Sequence, residues 1–331
     1  MKLTRFLPDK FTMALVAAVV LASVFPSQGR WVPIMDGITV LAIGLLFFLH
    51  GAKLSRRAVI EGMAHWRLHS VVFTFTYLAF PLLIWLAKPL LLQLVSQDLY
   101  WGLLYMALLP STVQSSIAFV AVARGNVPAA ICSATASNIL GIFLTPLLVG
   151  WIILGSHNDA AHSGALAAIM DIVYQLLLPF IAGQLARRWI GVWVDKHKPV
   201  LAYVDQSSIL LVVYTAFSAA VVSGLWQQTP IMALVNLVLI SCVLLAIVLG
   251  LTRWISTLMG FSKEDEITIV FCGSKKSMAT GIPMAQVLFA GTGVSMGAMV
   301  LPLMLFHQIQ LMVCAVIAAR YQKRSPDETA S

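Results

Sequence analysis

Charged residues are scarce in this 331-residue sequence, since Asp, Glu, Lys and Arg together make up 10% of it, against 60% hydrophobic residues. A soluble domain typically carries about a quarter charged residues, so this composition excludes one. The four cysteines lie in apolar segments without CxxC or histidine spacing. Neither a disulfide framework nor a metal site is therefore expected.

Motifs of membrane enzymes are also missing. The sequence has no HExxH zinc motif and no pair of carboxylates inside its apolar segments. Such groups supply the general acids, bases and metal ligands of hydrolytic chemistry. We therefore expect a protein that is not an enzyme and that uses no cofactor.

Long apolar runs, in contrast, follow one another along the whole sequence. A stretch of roughly 20 apolar residues is long enough to cross the hydrocarbon core of a bilayer. We predict an all-α integral membrane protein with a single transmembrane body and no separate soluble domain. Its ten predicted spans are residues 11–27, 34–52, 68–93, 99–123, 127–154, 164–186, 201–226, 230–252, 266–290 and 294–319.

Lysine and arginine residues lie almost entirely on one side of this predicted arrangement. Basic clusters at 53–67, 187–198 and 320–324 fall on the side of the N terminus, whereas the opposite loops contain only Arg30. Because Lys and Arg accumulate on the cytoplasmic side, both termini are predicted to be cytoplasmic, in a plasma or bacterial inner membrane. The net charge of +8 is explained by this orientation, so nucleic acid is not an expected partner.

Two polar interruptions occupy corresponding positions in the two halves of the chain. The ten spans divide into two inverted repeats of five, about residues 1–155 and 160–331. Span 4 contains "LLPSTVQSSIAF" and span 9 contains "FCGSKKSMATGIP". Paired interrupted helices at equivalent positions indicate the binding site of a transporter. We predict that both helices break, around residues 110–116 and 273–280.

Two adjacent lysines, Lys275 and Lys276, lie about ten residues inside span 9 with no acidic residue beside them. At 1.5 Å per residue they lie roughly 14 Å deep, which is too far from the helix end for snorkelling. An alternative is that "GSKKS" forms a loop between two short spans. We predict that the lysine pointing into the crossing is the charge around which the site is built. The other lysine is predicted to face the substrate.

The segment "LLPSTVQSSIAFVAVARGNVPAAICSATASNILGIFLTP" resembles the fourth and fifth helices of the bile acid:sodium symporter family, solute carrier family ten. Span count and topology extend the resemblance over the whole chain, and its specific part is residues 109–146 together with 271–283. Within the family, the sequence is most similar to the orphan branch of the vertebrate seventh member and bacterial YfeH-like proteins. The resemblance implies a panel domain from spans 1, 2, 6 and 7. It implies a core domain from spans 3, 4, 5, 8, 9 and 10, with broken helices 4 and 9 crossing at the midplane.

The sequence departs from the sodium sites of that family. Better-known members bind sodium at the crossing through side chains of spans 4 and 5 and through an acidic residue and a Gln of span 9. Ser115 and Ser116 match a Ser-Asn pair of span 4, but the acidic position falls near Cys272 or Gly273 and the Gln position falls on Lys276. In span 5, alanines replace the expected hydroxyl residues. Sodium is therefore not expected at the usual sites.

A lysine ammonium is predicted to replace the cation. Side-chain oxygens of Ser115, Ser116, Ser137 and Asn138, and backbone carbonyls at the broken helix ends, are predicted to stabilise it. Because burial favours a neutral amine over an ammonium, proton coupling is a further hypothesis. Asp171 with Gln175, and His307, are candidate cavity residues, although helix packing also explains the histidine. The predicted crossing groups are Ser111, Thr112, Gln114, Ser115, Ser116, Ser274, Ser277 and Thr280, with Ser133, Ser137 and Asn138 in span 5.

The function expected from these features is secondary active transport of an organic anion by alternating access. The substrate is expected to be bile-acid-like or a smaller carboxylate or sulfonate, carried by a symporter. Its expected partners are this anion and the lipid bilayer. The alternative is a membrane regulator that has a transporter fold but does not transport.

Overall fold

The computed structural model describes residues 10–53, 65–153, 162–222, 224, 230–289 and 294–323, without the side chains of residues 10–12 and 162–176. Within these ranges the chain forms helices and no strand. A π-helical turn, Phe75–Ala79, joins two of the helices. The α-helices are α1 (Lys10–Val24), α2 (Trp31–Lys53), α3 (Trp66–Thr74), α4 (Phe80–Leu86), α5 (Lys88–Leu94), α6 (Gln97–Ala107), α7 (Gln114–Val122), α8 (Val127–Ile152), α9 (His162–Lys196), α10 (Lys198–Val222), α11 (Ile231–Leu258), α12 (Lys263–Gly273), α13 (Met278–Leu288) and α14 (Met296–Gln322).

Several of these helices are long and apolar enough to cross a bilayer. In the described part of the chain, six helical stretches meet this condition: Trp31–Lys53, Trp66–Leu86, Val127–Ile152, Lys198–Val222, Ile231–Leu258 and Met296–Gln322. The predicted all-α class is confirmed, and the count of ten membrane helices stays a prediction.

Large apolar side chains cover the outward faces of these helices. Leu41 is 75% exposed, Trp151 79% and Ile231 81%. A water-soluble protein rarely exposes contiguous apolar surface of this kind. These apolar faces are expected to contact lipid tails, which agrees with the low fraction of charged residues in the chain.

One compact unit comprises Met1–Ser55, Ile142–Pro230 and Gly281–Leu301. In it, α2 and α9 approach each other closely through two glycines. A Cβ atom on Gly51 would lie 2.0 Å from the carbonyl oxygen of Phe180, and one on Gly183 would lie 1.9 Å from that of Phe48. Any larger residue at either position would push the two helices apart.

The second compact unit comprises Arg56–Gly141, Ile231–Thr280 and Pro302–Ser331. Two of its helices are buried along most of their length: α6 from Leu99 to Ala107, and α12 from Glu266 to Gly273. Each of these helices ends close to one of the predicted breaks, α6 at Ala107 and α12 at Gly273, but both breaks are shorter than predicted because the chain is helical again from Gln114 and from Met278. The breaks are thus shielded inside protein, which is the condition for non-helical backbone at membrane depth.

A tight connection between α11 and α12 fixes where the second broken helix begins. Gly260 has a φ of +68°, the left-handed conformation that favours glycine. Its N–H donates to Thr257 O at 3.1 Å, and the N–H of Phe261 donates to Ser256 O at 3.1 Å. This is the hydrogen-bond pattern of a Schellman C-cap. Ser262 then caps α12, whose first turn contains three acidic residues that favour a helix N terminus.

Candidate functional site

The chain leaves the helical conformation between α6 and α7, at residues 108–113, and between α12 and α13, at residues 274–277. The two breaks contact each other directly. The N–H of Ser277 donates to Pro110 O at 2.8 Å, and the hydroxyl of Ser111 donates to Cys272 O at 2.5 Å. Backbone groups freed by one break are therefore satisfied by the other.

Lys276 places its ammonium group within this crossing. Its Nζ donates to the carbonyl oxygens of Thr76 at 2.6 Å, Ala107 at 2.7 Å and Leu109 at 2.9 Å. It also lies 4.3 Å from the ring centroid of Phe80. The side chain has no exposed surface. Three charge-assisted hydrogen bonds and a cation–π contact offset much of the cost of removing this ammonium from water.

The Thr76 carbonyl is free to accept because of the π-helical turn. In that turn the N–H of Phe80 donates to Phe75 O, so Phe80 does not bond to Thr76 as it would in an α-helix. The next candidate donor is the nitrogen of Pro81, which has no hydrogen. A proline in the middle of span 3 therefore exposes an acceptor that points at Lys276.

The break in span 4 frees the other two acceptors. The N–H of Ser111 would pair with Ala107 O in a continuous helix, but it donates to Ser137 Oγ at 3.0 Å. Leu109 lies beyond the end of α6. Both carbonyls are therefore available to the ammonium group of Lys276. All three acceptors of Lys276 Nζ are main-chain carbonyls, and among the described residues none of the serine and asparagine side chains predicted alongside them accepts from it.

Gln310 of α14 holds the backbone of Lys276 in position. The N–H of Lys276 donates to Gln310 Oε1 at 2.9 Å, and Gln310 Nε2 donates to Lys276 O at 3.0 Å. The side-chain amide of Gln310 thereby satisfies both the N–H and the C=O of Lys276, as the backbone of an adjacent β-strand does in a sheet. His307 Nδ1 lies 2.7 Å from Gln310 Nε2. His307 thus helps to hold Gln310 in the position where it binds the backbone of the second break.

Lys275 has a different environment. Its Nζ lies 3.9 Å from the ring centroid of Phe119 and 5.6 Å from that of Phe271. The side chain has no exposed surface. Within the described residues its Nζ has no hydrogen-bond acceptor. The two adjacent lysines therefore differ sharply, because one is held by three carbonyls and the other by aromatic rings.

Hydroxyl groups from span 4 form a chain beside the crossing. Ser115 Oγ donates to Thr112 Oγ1 at 2.8 Å, and Thr112 Oγ1 lies 2.8 Å from Ser116 Oγ. Ser116 Oγ donates in turn to Phe271 O at 3.2 Å. The predicted serine cluster is therefore internally paired and tied to the second broken helix.

Asn138 of α8 links both breaks. Its Nδ2 donates to Ser111 O at 2.7 Å, and its Oδ1 accepts from Thr280 Oγ1 at 2.8 Å. Thr280 Oγ1 also lies 2.9 Å from Ser277 Oγ. A Cβ on Gly141 would lie 2.7 Å from Pro110 Cγ, so only glycine lets α8 approach this closely.

The remaining predicted site residues have other partners, although Ser274 itself lies in the second break. Ser133 pairs with His69 of α3, with Oγ and Nδ1 2.7 Å apart. Ser274 Oγ donates to Val270 O of its own helix at 2.6 Å, and the side chain of Gln114 is exposed. The side chains of Asp171 and Gln175 lie outside the described residues.

Comparison with known proteins identifies the family. A profile of the SBF-like CPA transporter family matches residues 9–323, which is nearly the whole chain. The chain belongs to this family. The uncharacterized protein PA2026 of Pseudomonas aeruginosa is 61% identical, over 99% of this chain and 97% of its own length. The Escherichia coli protein named "Putative symporter YfeH" is 54% identical over 98% and 96%. Rat sodium/bile acid cotransporter 7 is 30% identical over 95% and 93%.

Membership of the SBF-like CPA transporter family makes the chain a multi-pass membrane protein related to transporters rather than to enzymes. The resemblance to the bile acid:sodium symporter family is confirmed. In this family member, sequence reasoning missed two contributors to the crossing, namely the π-helical turn and the ring of Phe80. The signal for both was "FTYLAFP", which places Pro81 in the middle of span 3.

Proposed function

We propose that this chain is a secondary active transporter, a symporter for an organic anion that works by alternating access. The observation that carries the proposal is a buried ammonium group, that of Lys276, at two paired helix breaks. No ion pair with a carboxylate involves either lysine among the described residues. Positive charge at the crossing therefore favours an anionic substrate, bile-acid-like or a smaller carboxylate or sulfonate.

Lys276 is proposed to serve as a fixed cation in place of sodium. Sodium requires a cage of oxygen ligands, and the three carbonyls that converge here already accept hydrogen bonds from the ammonium group. An ammonium at 4 Å would repel sodium by roughly 4 kcal/mol at an effective dielectric constant near 20. The three carbonyl oxygens therefore bind the ammonium group and leave no favourable site for a sodium ion beside it.

Alternating access is proposed to involve a panel and a core built from inverted repeats. The composition of the two compact units supports this division, because each draws on both halves of the chain. One unit contains α1, α2, α9 and α10, which correspond to spans 1, 2, 6 and 7, and it also includes the parts of α8, α13 and α14 that fall within residues 142–230 and 281–301. The other contains both helix breaks. The proposed location is a plasma or bacterial inner membrane, with both termini in the cytoplasm.

The test is uptake by liposomes that contain the purified full-length protein. Radiolabelled taurocholate and succinate serve as probes, in sodium-free buffer, with empty liposomes as the blank. We expect saturable uptake of at least one probe by wild type and by Lys198→Met, a control that removes an exposed charge. Uptake should be lost in Lys276→Met. Uptake of neither anion under any gradient would contradict the proposal and favour the non-transporting regulator.

A further inference from the structure

Lys275 contributes a second buried amine that the fixed-cation role does not use. Its Nζ is enclosed, has no hydrogen-bond acceptor among the described residues, and contacts the face of Phe119 at 3.9 Å. Burying an ammonium that has no acceptor is strongly unfavourable. A desolvated cation–π contact recovers only part of that cost. The neutral amine carries no such penalty.

The groups that act on this amine are few. The titratable groups that face it from neighbouring helices are the thiols of Cys272 on α12 and Cys314 on α14, and no carboxylate forms an ion pair with it among the described residues. The aromatic rings of Phe119 on α7 and Phe271 on α12 complete its surroundings. Lys276, its neighbour, has its ammonium committed to three carbonyls. The protein itself therefore provides no permanent countercharge for a proton on Lys275.

An anion that approaches Lys275 would provide this countercharge. Opposite charges within about 4–6 Å of each other favour the charged form of an amine. The amine therefore binds a proton more tightly when an anion is bound, and it releases the proton more easily when the anion leaves. Proton binding and anion binding at this position support each other, as thermodynamic linkage requires.

We propose that Lys275 is the proton-carrying residue of this transporter and couples each anion to one proton. The inference rests on the proposed function. On the side of uptake, the nitrogen lone pair takes one proton and forms one N–H bond. On the other side that N–H bond breaks and the proton leaves with the anion. The proton comes from hydronium on the first side and passes to water on the second, so one O–H bond breaks and another forms, and a monovalent anion is carried without net charge movement.

The first experiment measures proton-driven accumulation in the same liposomes. With one proton per anion, an inward gradient of one pH unit drives about tenfold accumulation of a monovalent anion, because about 1.4 kcal/mol corresponds to a factor of ten. We expect this accumulation of taurocholate by wild type and by Lys198→Met. In Lys275→Met, and in Lys275→Gln as a second variant, the inside-to-outside ratio should not exceed one.

The second experiment needs no transported probe. Melting temperatures of wild type, Lys275→Met and Lys198→Met are measured in detergent at several pH values between 6 and 9. If Lys275 exchanges a proton in this range, the difference between wild type and Lys275→Met changes with pH. The difference between wild type and Lys198→Met should stay constant, because that control lacks the exchange.

The outcomes separate the two proposals. Uptake by wild type that ignores the pH gradient overturns the coupling role of Lys275, and so does full accumulation by Lys275→Met. Failure of wild type to take up either probe contradicts the proposed function. In that case the melting experiment alone decides the inference: a pH-dependent difference supports proton exchange at Lys275, and a constant difference overturns it.

Discussion

The ammonium group of Lys276 bonds entirely to main-chain carbonyls, so its loss would affect three elements at once. The carbonyls of Thr76, Ala107 and Leu109 have no helical donor and depend on Lys276 Nζ. Lys276→Met keeps the length of the stem and removes the donors. Each acceptor left unsatisfied in a buried site costs about 1–3 kcal/mol. We therefore expect a clearly lower melting temperature in detergent for this variant.

Lys275→Met is the matched control for that prediction. It changes the same residue type in the same buried segment, but its Nζ has no acceptor to leave unpaired among the described residues. At pH 8 this variant should melt close to wild type or above it. Equal losses of stability in the two variants would show that the three carbonyl bonds contribute nothing specific.

At the scale of the element, glycines set how closely helices approach. Gly51 and Gly44 both lie on α2, yet a Cβ on Gly51 would meet Phe180 O at 2.0 Å, whereas one on Gly44 would meet nothing within 4 Å. Overpacking of this kind costs about 1–3 kcal/mol. We predict that Gly51→Ala lowers the melting temperature by several degrees. Gly44→Ala should be neutral or stabilising, because alanine favours a helix more than glycine does.

The same scale shows what the sequence could predict. The breaks in spans 4 and 9 were predictable because Pro110, Gly273 and clustered hydroxyl residues interrupt apolar runs by local rules. The choice between Lys275 and Lys276 was not, because both lie in non-helical backbone where helical angles do not apply. The partner of Ser133 was unpredictable for a similar reason, because its hydrogen bond with His69 depends on how α3 packs against α8.

The partners of the buried ammonium were only partly predictable from the sequence. Backbone carbonyls at the broken ends were predicted together with serine and asparagine side chains, but carbonyl acceptors are present at every residue and the sequence does not tell which of them are free. Which carbonyls become free depends on the π-helical turn Phe75–Ala79 and on the bond from Ser111 N to Ser137 Oγ. Both are features of three-dimensional packing, with Pro81 as the one local trace.

For the whole molecule, sodium is predicted not to act as a stabilising ligand. A ligand that binds only the folded state raises stability in proportion to the logarithm of its concentration above Kd. With the Lys276 ammonium at the carbonyl cluster, melting temperatures in NaCl and in KCl at equal concentration should coincide. A steep, saturable rise in sodium alone would contradict both this prediction and the fixed-cation role.

The orientation of the molecule in the membrane gives a separate prediction. The loops predicted to be cytoplasmic contain nearly all Lys and Arg residues of the chain, whereas the predicted opposite loops contain Arg30, so both termini should be cytoplasmic. A green fluorescent protein fused to the C terminus should fluoresce in the inner membrane. Alkaline phosphatase fused after Arg30 should be active, and an inactive enzyme at Arg30 would indicate the reverse orientation.

The carbonyl cluster around Lys276 also bears on how the chain is made. A lysine near the centre of a membrane span opposes insertion by about 2.5–3.5 kcal/mol at the translocon, and span 9 contains two of them. The acceptors in spans 3 and 4 precede Lys276 by 167 to 200 residues, so the ribosome has already delivered them when span 9 emerges. Stable insertion of the ninth span is then a late event of biogenesis. It depends on spans 3 and 4, which are already in the bilayer and whose three carbonyl oxygens have no other donor among the described residues.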